Sequence, residues 1–289
     1  MKAGLGTAAF GTSISQNDAF EVLDTYVAMG GKIIDTANNY AFWAGHGGES
    51  ESVIGRWLAG VDRGSVEIHT KIGGLPLDGN DISNPEGLSK TTIESAITAS
   101  LERLGTDYLD VLYCHIDDLK TPLLETRSAL TSYVEKGVVR KLGISNYTLE
   151  RLEELLVLIE QEKLAPLSFA QYRHSVIKPV TLDYDFGVQL CLTPEIRSLL
   201  KEVHPNVTLV AYSPLLDGAF EHGGKLPDAY DTHENERYVT GLRAEADMIM
   251  MSPSALVLRH IANDGIIPLC MSGKVKRIKE NFALVKKLK

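Results

Sequence analysis

Eight short β-rich runs alternate with longer segments of helical period along all 289 residues, and this alternation constrains the fold more than any other feature. The runs are 5–10, 32–36, 66–71, 109–115, 139–144, 168–171, 207–212 and 266–271. Most are apolar on both faces, as parallel strands covered by helices must be. Eight units without a compositional break favour a closed barrel over an open doubly wound sheet. The expected fold class is α/β, a (β/α)8 TIM barrel forming a single domain over residues 1–289.

Helix boundaries are marked by local chemistry. Ile93, Ala96, Ile97, Leu101 and Leu104 make an apolar stripe, with Ser89 as a cap before it and Gly105 after it. Thr121-Pro122, Thr193-Pro194 and Ser252-Pro253 each pair a hydroxyl with a proline pre-set for a first turn. Gly137 ends the helix after Thr121, and Thr148 precedes a stripe of Leu149, Leu152, Leu156 and Ile159. Ile278, Phe282 and Val285 define a last helix. The irregular stretches 73–88, 173–192 and 216–233 are expected to be loops over one mouth of the barrel.

Thirty-eight acids against 29 lysines and arginines give a formal charge of −9, which disfavours a nucleic-acid partner. No apolar run is long enough to span a bilayer, and the first residues lack the regions of a secretory signal, so a cytoplasmic protein without membrane attachment is expected. Cys114, Cys191 and Cys270 are odd in number, far apart and flanked by apolar residues, which suits reduced core thiols. No metal site is expected.

Gly4-Leu5-Gly6-Thr7-Ala8-Ala9 fits the glycine string of dinucleotide-binding Rossmann folds. That fingerprint needs a strand before it and a helix opening within it, and neither fits here. The segment reads instead as a first barrel strand of small residues.

Catalytic chemistry in such barrels gathers at the C-terminal ends of the strands. Asp35, Lys71 and His115 end the second, third and fourth runs, and Tyr40 follows in the loop after Asp35. A free phenol titrates near pH ~10 and is a poor acid at neutral pH. A neighbouring ammonium favours the phenolate and lowers that pKa, a carboxylate holds the lysine in place, and a histidine can orient a substrate oxygen. His69, two residues before Lys71 on the same strand face, reads as an interior residue, and His46 as a solvated loop residue.

The chain resembles the aldo-keto reductase family in Ile34-Asp35-Thr36-Ala37-Asn38-Asn39-Tyr40, in Glu49-Ser50-Glu51 before Ile54-Gly55, and in Thr70-Lys71. The match continues through residues 100–110, Gly143-Ile144-Ser145-Asn146, Tyr212-Ser213-Pro214-Leu215 and Glu280-Asn281, in family order. The resemblance implies a catalytic tetrad of Asp35, Tyr40, Lys71 and His115. It also implies an NADP(H) site, with NAD(H) as the alternative nucleotide. Ser145, Asn146 and Gln171 would hold the carboxamide, Tyr212 would stack on the nicotinamide, and Ser213 and Leu215 would continue that wall. Ser272, Lys274 and Arg277 would meet the 2′-phosphate, with Glu280 and Asn281 at the adenine. Lys286, Lys287 and Lys289 are assigned to a solvated helix face. Cys270 and Met271 stand where relatives usually carry a proline and a glycine or lysine, and Ile116-Asp117-Asp118 follows His115 where many carry an aromatic or basic residue and a proline. Phe42 and Trp43 are the expected walls of a pocket for a small carbonyl substrate. The implied reaction is reversible reduction of an aldehyde or ketone. The alternative is an NADPH-binding sensor or regulatory subunit with little turnover. A monomer or weak homo-oligomer is expected.

Overall fold

The computed structural model describes residues 2–79 and 81–283. Its strands are β1 (Gly4–Gly6), β2 (Ile33–Asp35), β3 (Glu67–Ile72), β4 (Leu109–Cys114), β5 (Val139–Ser145), β6 (Leu167–Arg173), β7 (Thr208–Tyr212) and β8 (Ile267–Cys270). All pair in parallel with their sequence neighbours, and β8 returns to β1, so the sheet closes into the expected (β/α)8 barrel. No helix among the described residues is long and apolar enough to cross a membrane.

The helices are α1 (Gln16–Ala28), α2 (Glu49–Leu58), α3 (Lys90–Leu104), α4 (Leu123–Glu135), α5 (Leu149–Gln161), α6 (Pro194–Ser198), α7 (His233–Met248), α8 (Pro253–Asn263) and α9 (Val275–Phe282). Ser89, Thr148, Thr193 and Ser252 each accept a hydrogen bond from a first-turn N–H, as their positions predict. Thr121 does not. Pro122 holds the cap position of α4, and the Thr121 hydroxyl donates to Asp118 Oδ2 at 2.7 Å, because that carboxylate also gathers the N–H of Leu88. The first strand is shorter than 5–10. The Thr7 N–H and hydroxyl both donate to the Asp35 carbonyl and the Phe10 N–H donates to Thr7, which turns residues 7–10 out of the sheet. Helix α7 carries little periodic signal, since it buries only Asn235, Val239, Leu242 and Ala246 on a polar segment. Val285 and the three C-terminal lysines lie outside the described residues.

Apolar burial falls into two shells. The larger lies between the strands and the helices; the smaller fills the barrel with Ile33, Val111, Tyr113, Phe169, Val210, Ile267 and Leu269. Side chains alternate along a strand, so the face of β3 that buries His69 inside also carries Lys71 one layer higher. His69 is fully buried, with Nδ1 3.1 Å from the Tyr113 hydroxyl, as expected of an interior residue. The three cysteines are free and buried.

Candidate active site

Above the apolar plug, the C-terminal ends of β2 and β3 bring Asp35 and Lys71 together. Lys71 is 0% exposed and Asp35 1%. Lys71 Nζ donates to Asp35 Oδ1 at 2.6 Å, to the Thr36 carbonyl at 2.8 Å and to the Tyr40 hydroxyl at 3.0 Å. Taking two charges into the interior is costly, and the short bonds to all three ammonium directions offset that cost. The second Asp35 oxygen accepts from Gln171 Nε2 at 2.9 Å. Tyr40 turns back over this pair from the loop after β2, its hydroxyl 3.4 Å from Asp35 Oδ1. The Tyr40 and His115 rings meet edge to face at 5.8 Å.

Electrostatics in the cluster differ from the expectation in one respect. Burial, then the Asp35 carboxylate, push the Tyr40 phenol well above its ordinary value instead of below it. Tyr40 therefore rests as a protonated phenol whose oxygen accepts a Lys71 N–H. Burial lowers the Lys71 ammonium, with Asp35 opposing. His115 is held well below the usual imidazole range by burial and then by Lys71, so its ring is neutral at pH 7. Its Nδ1 is buried with no hydrogen-bond partner among the described residues. A buried N–H without an acceptor is rarer than a bare acceptor, so the proton belongs on Nε2.

A cavity of about 510 Å3 opens over Tyr40 and His115 and runs towards the start of α9. Asp35, Ser145, Asn146, Gln171, Tyr212, Ser213, Leu215, Ser272, Arg277, Glu280 and Asn281 all line it, as do Phe42 and Trp43. Lys71 lies behind Tyr40. Lys274 lines an adjoining hollow that shares Ser272 and Arg277 with the cavity. The Ser145 hydroxyl donates to the Gln171 carbonyl, and Asn146 Nδ2 donates to Ser145 Oγ and to the His115 carbonyl. Asn146 Oδ1 accepts from the Tyr212 hydroxyl at 2.7 Å and the Leu190 N–H at 2.9 Å. Asn146 adopts φ 60°, a left-handed conformation that asparagine tolerates, whereas Ser213 at φ 52° stores strain beside the same wall.

Several lining residues were given no place in the site by the sequence. Gly6 at the end of β1, with Thr7 and Ala8 after it, lines the cavity, as do Asp217 and Glu221 from the loop after β7. Small residues and lone acids in long loops look alike whether or not they face a cavity; only closure of the barrel brings them together. Asn281 lines the cavity while its Nδ2 donates to Cys270 Sγ at 3.1 Å, so the unusual cysteine engages the amide of that residue.

The family model described as the aldo/keto reductase family matches residues 2–289. An aryl-alcohol dehydrogenase of Pestalotiopsis microspora is 39% identical over 54% of this chain and 40% of its own length. An uncharacterized oxidoreductase, YrpG, of Bacillus subtilis is 31% identical over 76% of this chain and 64% of its own. The chain thus spans less than two-thirds of the length of these relatives. Among solved structures, a thermostable aldo-keto reductase in complex with the inhibitor epalrestat is 25% identical with a TM-score of 0.74, covering 99% of this chain and 90% of that one. An aldo-keto reductase from Klebsiella pneumoniae in complex with NADPH shares the fold at 23% identity and TM-score 0.74, over 97% of this chain and 84% of its own. By its matched length and its barrel, the chain belongs to the aldo/keto reductase family.

Proposed function

We propose that the chain is an NADP(H)-dependent oxidoreductase that reduces an aldehyde or ketone to the alcohol, reversibly, with Tyr40 as general acid and base. The observation that carries this reading is the buried Asp35–Lys71 pair holding a protonated Tyr40 at the end of a long cavity.

The lining residues suit a nicotinamide dinucleotide phosphate. Gln171 spends its amide N–H on Asp35, while its amide oxygen takes no hydrogen bond among the described residues and remains an acceptor for a carboxamide N–H. Lys274 and Arg277 form no ion pair among the described residues and stand where α9 begins, a suitable pairing of cations and helix N-terminus for a phosphate. Ser145, Asn146, Gln171 and Tyr212 would hold the nicotinamide end, with Ser213 and Leu215 beside them. Ser272, Lys274, Arg277, Glu280 and Asn281 would hold the adenosine end. When bound, NADPH supplies the hydride.

The protein's own part is the proton and the placement of the carbonyl. His115 offers an uncharged Nε2–H to the carbonyl oxygen and so polarises the carbon without competing as an acid. Tyr40 transfers its hydroxyl proton to the developing alkoxide and keeps the bonding pair as phenolate. Lys71, already donating to that oxygen, stabilises the phenolate, and Asp35 fixes Lys71 in place. In the oxidative direction the phenolate takes the alcohol proton back. Phe42 and Trp43, packed edge to face at 5.3 Å, form the apolar wall for the substrate.

Titration with NADPH and separately with NADH, read by tryptophan fluorescence, tests the reading when followed by a scan of aldehydes and ketones. Tight NADPH binding with turnover is expected. Binding without turnover on any carbonyl would favour the sensor reading, and absence of binding to either nucleotide would remove the oxidoreductase assignment.

A further inference from the structure

A second cavity, of about 560 Å3, lies beside the mouth, between the end of β6, the α6 segment and helices α7 and α8. The chain segment 188–192 is the partition: Val188 and Gln189 line the mouth, and Cys191 and Leu192 line the second cavity. Nothing in the reaction above uses this space. Its volume is that of an ordinary small-molecule site.

Three cations, Arg173, Lys178 and Arg197, line it against one carboxylate, Asp264. Arg197 meets Asp264 at 3.1 Å. Arg173 makes no ion pair among the described residues; it donates to Gln189 Oε1 at 2.8 Å and Tyr230 OH at 3.1 Å, and its guanidinium lies 4.2 Å over the Phe186 ring. His174 projects from the same strand end, and its ring nitrogens have no hydrogen-bond partner among the described residues. Burial and then the Arg197 charge push its imidazole down to about 4, so at neutral pH it is an uncharged donor and acceptor. Ser175, Thr193, His260 and Asn263 add neutral polar groups, and an apolar part of the wall is made by Ile177, Leu182, Leu192 and Ile261 with Tyr230 and Tyr238.

We propose that this cavity is a binding site for a small organic monocarboxylate with an apolar body, held at Arg197 and His174 and distinct from the catalytic mouth. The excess of cations selects an anion, the apolar wall selects a carbon skeleton, and Asp264 in the same wall disfavours a dianion such as a phosphate ester. Occupancy has a direct route to the mouth. The Arg173 N–H donates to the Leu190 carbonyl across the partition, the Leu190 N–H donates to Asn146 Oδ1, and the His174 N–H donates to the Tyr212 carbonyl.

Calorimetric titration of the whole chain with benzoate, and with benzamide as the uncharged counterpart, tests the site. Benzoate is expected to bind saturably. Arg197→Gln should weaken it roughly tenfold or more, the scale of one charge-assisted hydrogen bond. Asp264→Asn should tighten it severalfold by freeing Arg197 and removing a like charge. Benzamide should follow neither change. Opposite signs in the two variants cannot come from loss of fold. The site is overturned if benzoate does not saturate, or if both variants bind as the wild type does, which would put the carboxylate in the mouth. Equal weakening in both variants would also overturn it, since that marks collapse of the Arg197–Asp264 bridge.

Discussion

At the scale of single residues, the cluster around Tyr40 depends on charges that would be costly to bury separately. Lys71→Met leaves the Asp35 carboxylate buried without its cation, so stability should drop by about 3–5 kcal/mol, measured by chemical denaturation, together with the loss of turnover. A variant as stable as the wild type would show that the Lys71–Asp35 pair does not hold this part of the fold together. Trp43 is different. It is 49% exposed at the mouth, so Trp43→Ala should leave stability nearly unchanged while altering relative kcat/KM among carbonyl substrates by roughly tenfold; unchanged ratios would remove it from the pocket. His174 sets a pH dependence. Its folded value of about 4 lies below the ~6.5 of an unfolded histidine, so the unfolded chain takes up a proton that the folded chain refuses. Stability is therefore full above pH ~6.5 and declines as the pH falls towards 4, with His115 acting in the same direction. A His174→Gln variant should show a shallower decline over this window, and parallel curves would contradict the assignment. That Asp35, Tyr40, Lys71 and His115 gather was legible because Asp35, Lys71 and His115 end strands and Tyr40 follows one. The raised Tyr40 value was not legible, because it arises from burial that only the closed barrel creates.

At the scale of elements, the tightest constraint is where α2 crosses α3. A Cβ on Gly55 would stand 2.0 Å from the Arg103 carbonyl oxygen, a backbone atom that cannot swing aside. Alanine in a helix interior is normally stabilising by about 0.5–1 kcal/mol over glycine. Here the sign should reverse, with Gly55→Ala costing more than about 2 kcal/mol in denaturation, on the scale of overpacking a close helix contact. A neutral or stabilising result would show that the two helices can separate. Strand positions could be read from apolar runs to within a few residues, and helix starts from Ser and Thr caps, because both signals are local. The failures were also local. Thr121 gives up the cap role to bond the Asp118 carboxylate, and α7 is hard to read from sequence because its apolar stripe is narrow, resting on Val239, Leu242 and Ala246. The end of β1 was overestimated because Thr7 spends its donors on Asp35.

At the scale of the molecule, closure of the barrel turns eight unremarkable strand ends into one site. It sets the ends of β2, β3 and β4 side by side beneath a cavity whose far end carries Arg277, although the whole chain has a formal charge of −9. On the proposed reading, that local cation would serve an anion that the overall charge would repel. Closure also leaves the second cavity sharing a wall with the first, an arrangement that no motif announces. The catalytic assignment is tested most directly by comparing Tyr40→Phe with the wild type, measuring NADPH affinity by fluorescence and turnover of an aldehyde by NADPH absorbance. Removing the phenolic proton should lower kcat by roughly a hundredfold or more while NADPH affinity stays within a few-fold. Wild-type turnover in Tyr40→Phe would show that Tyr40 is not the acid.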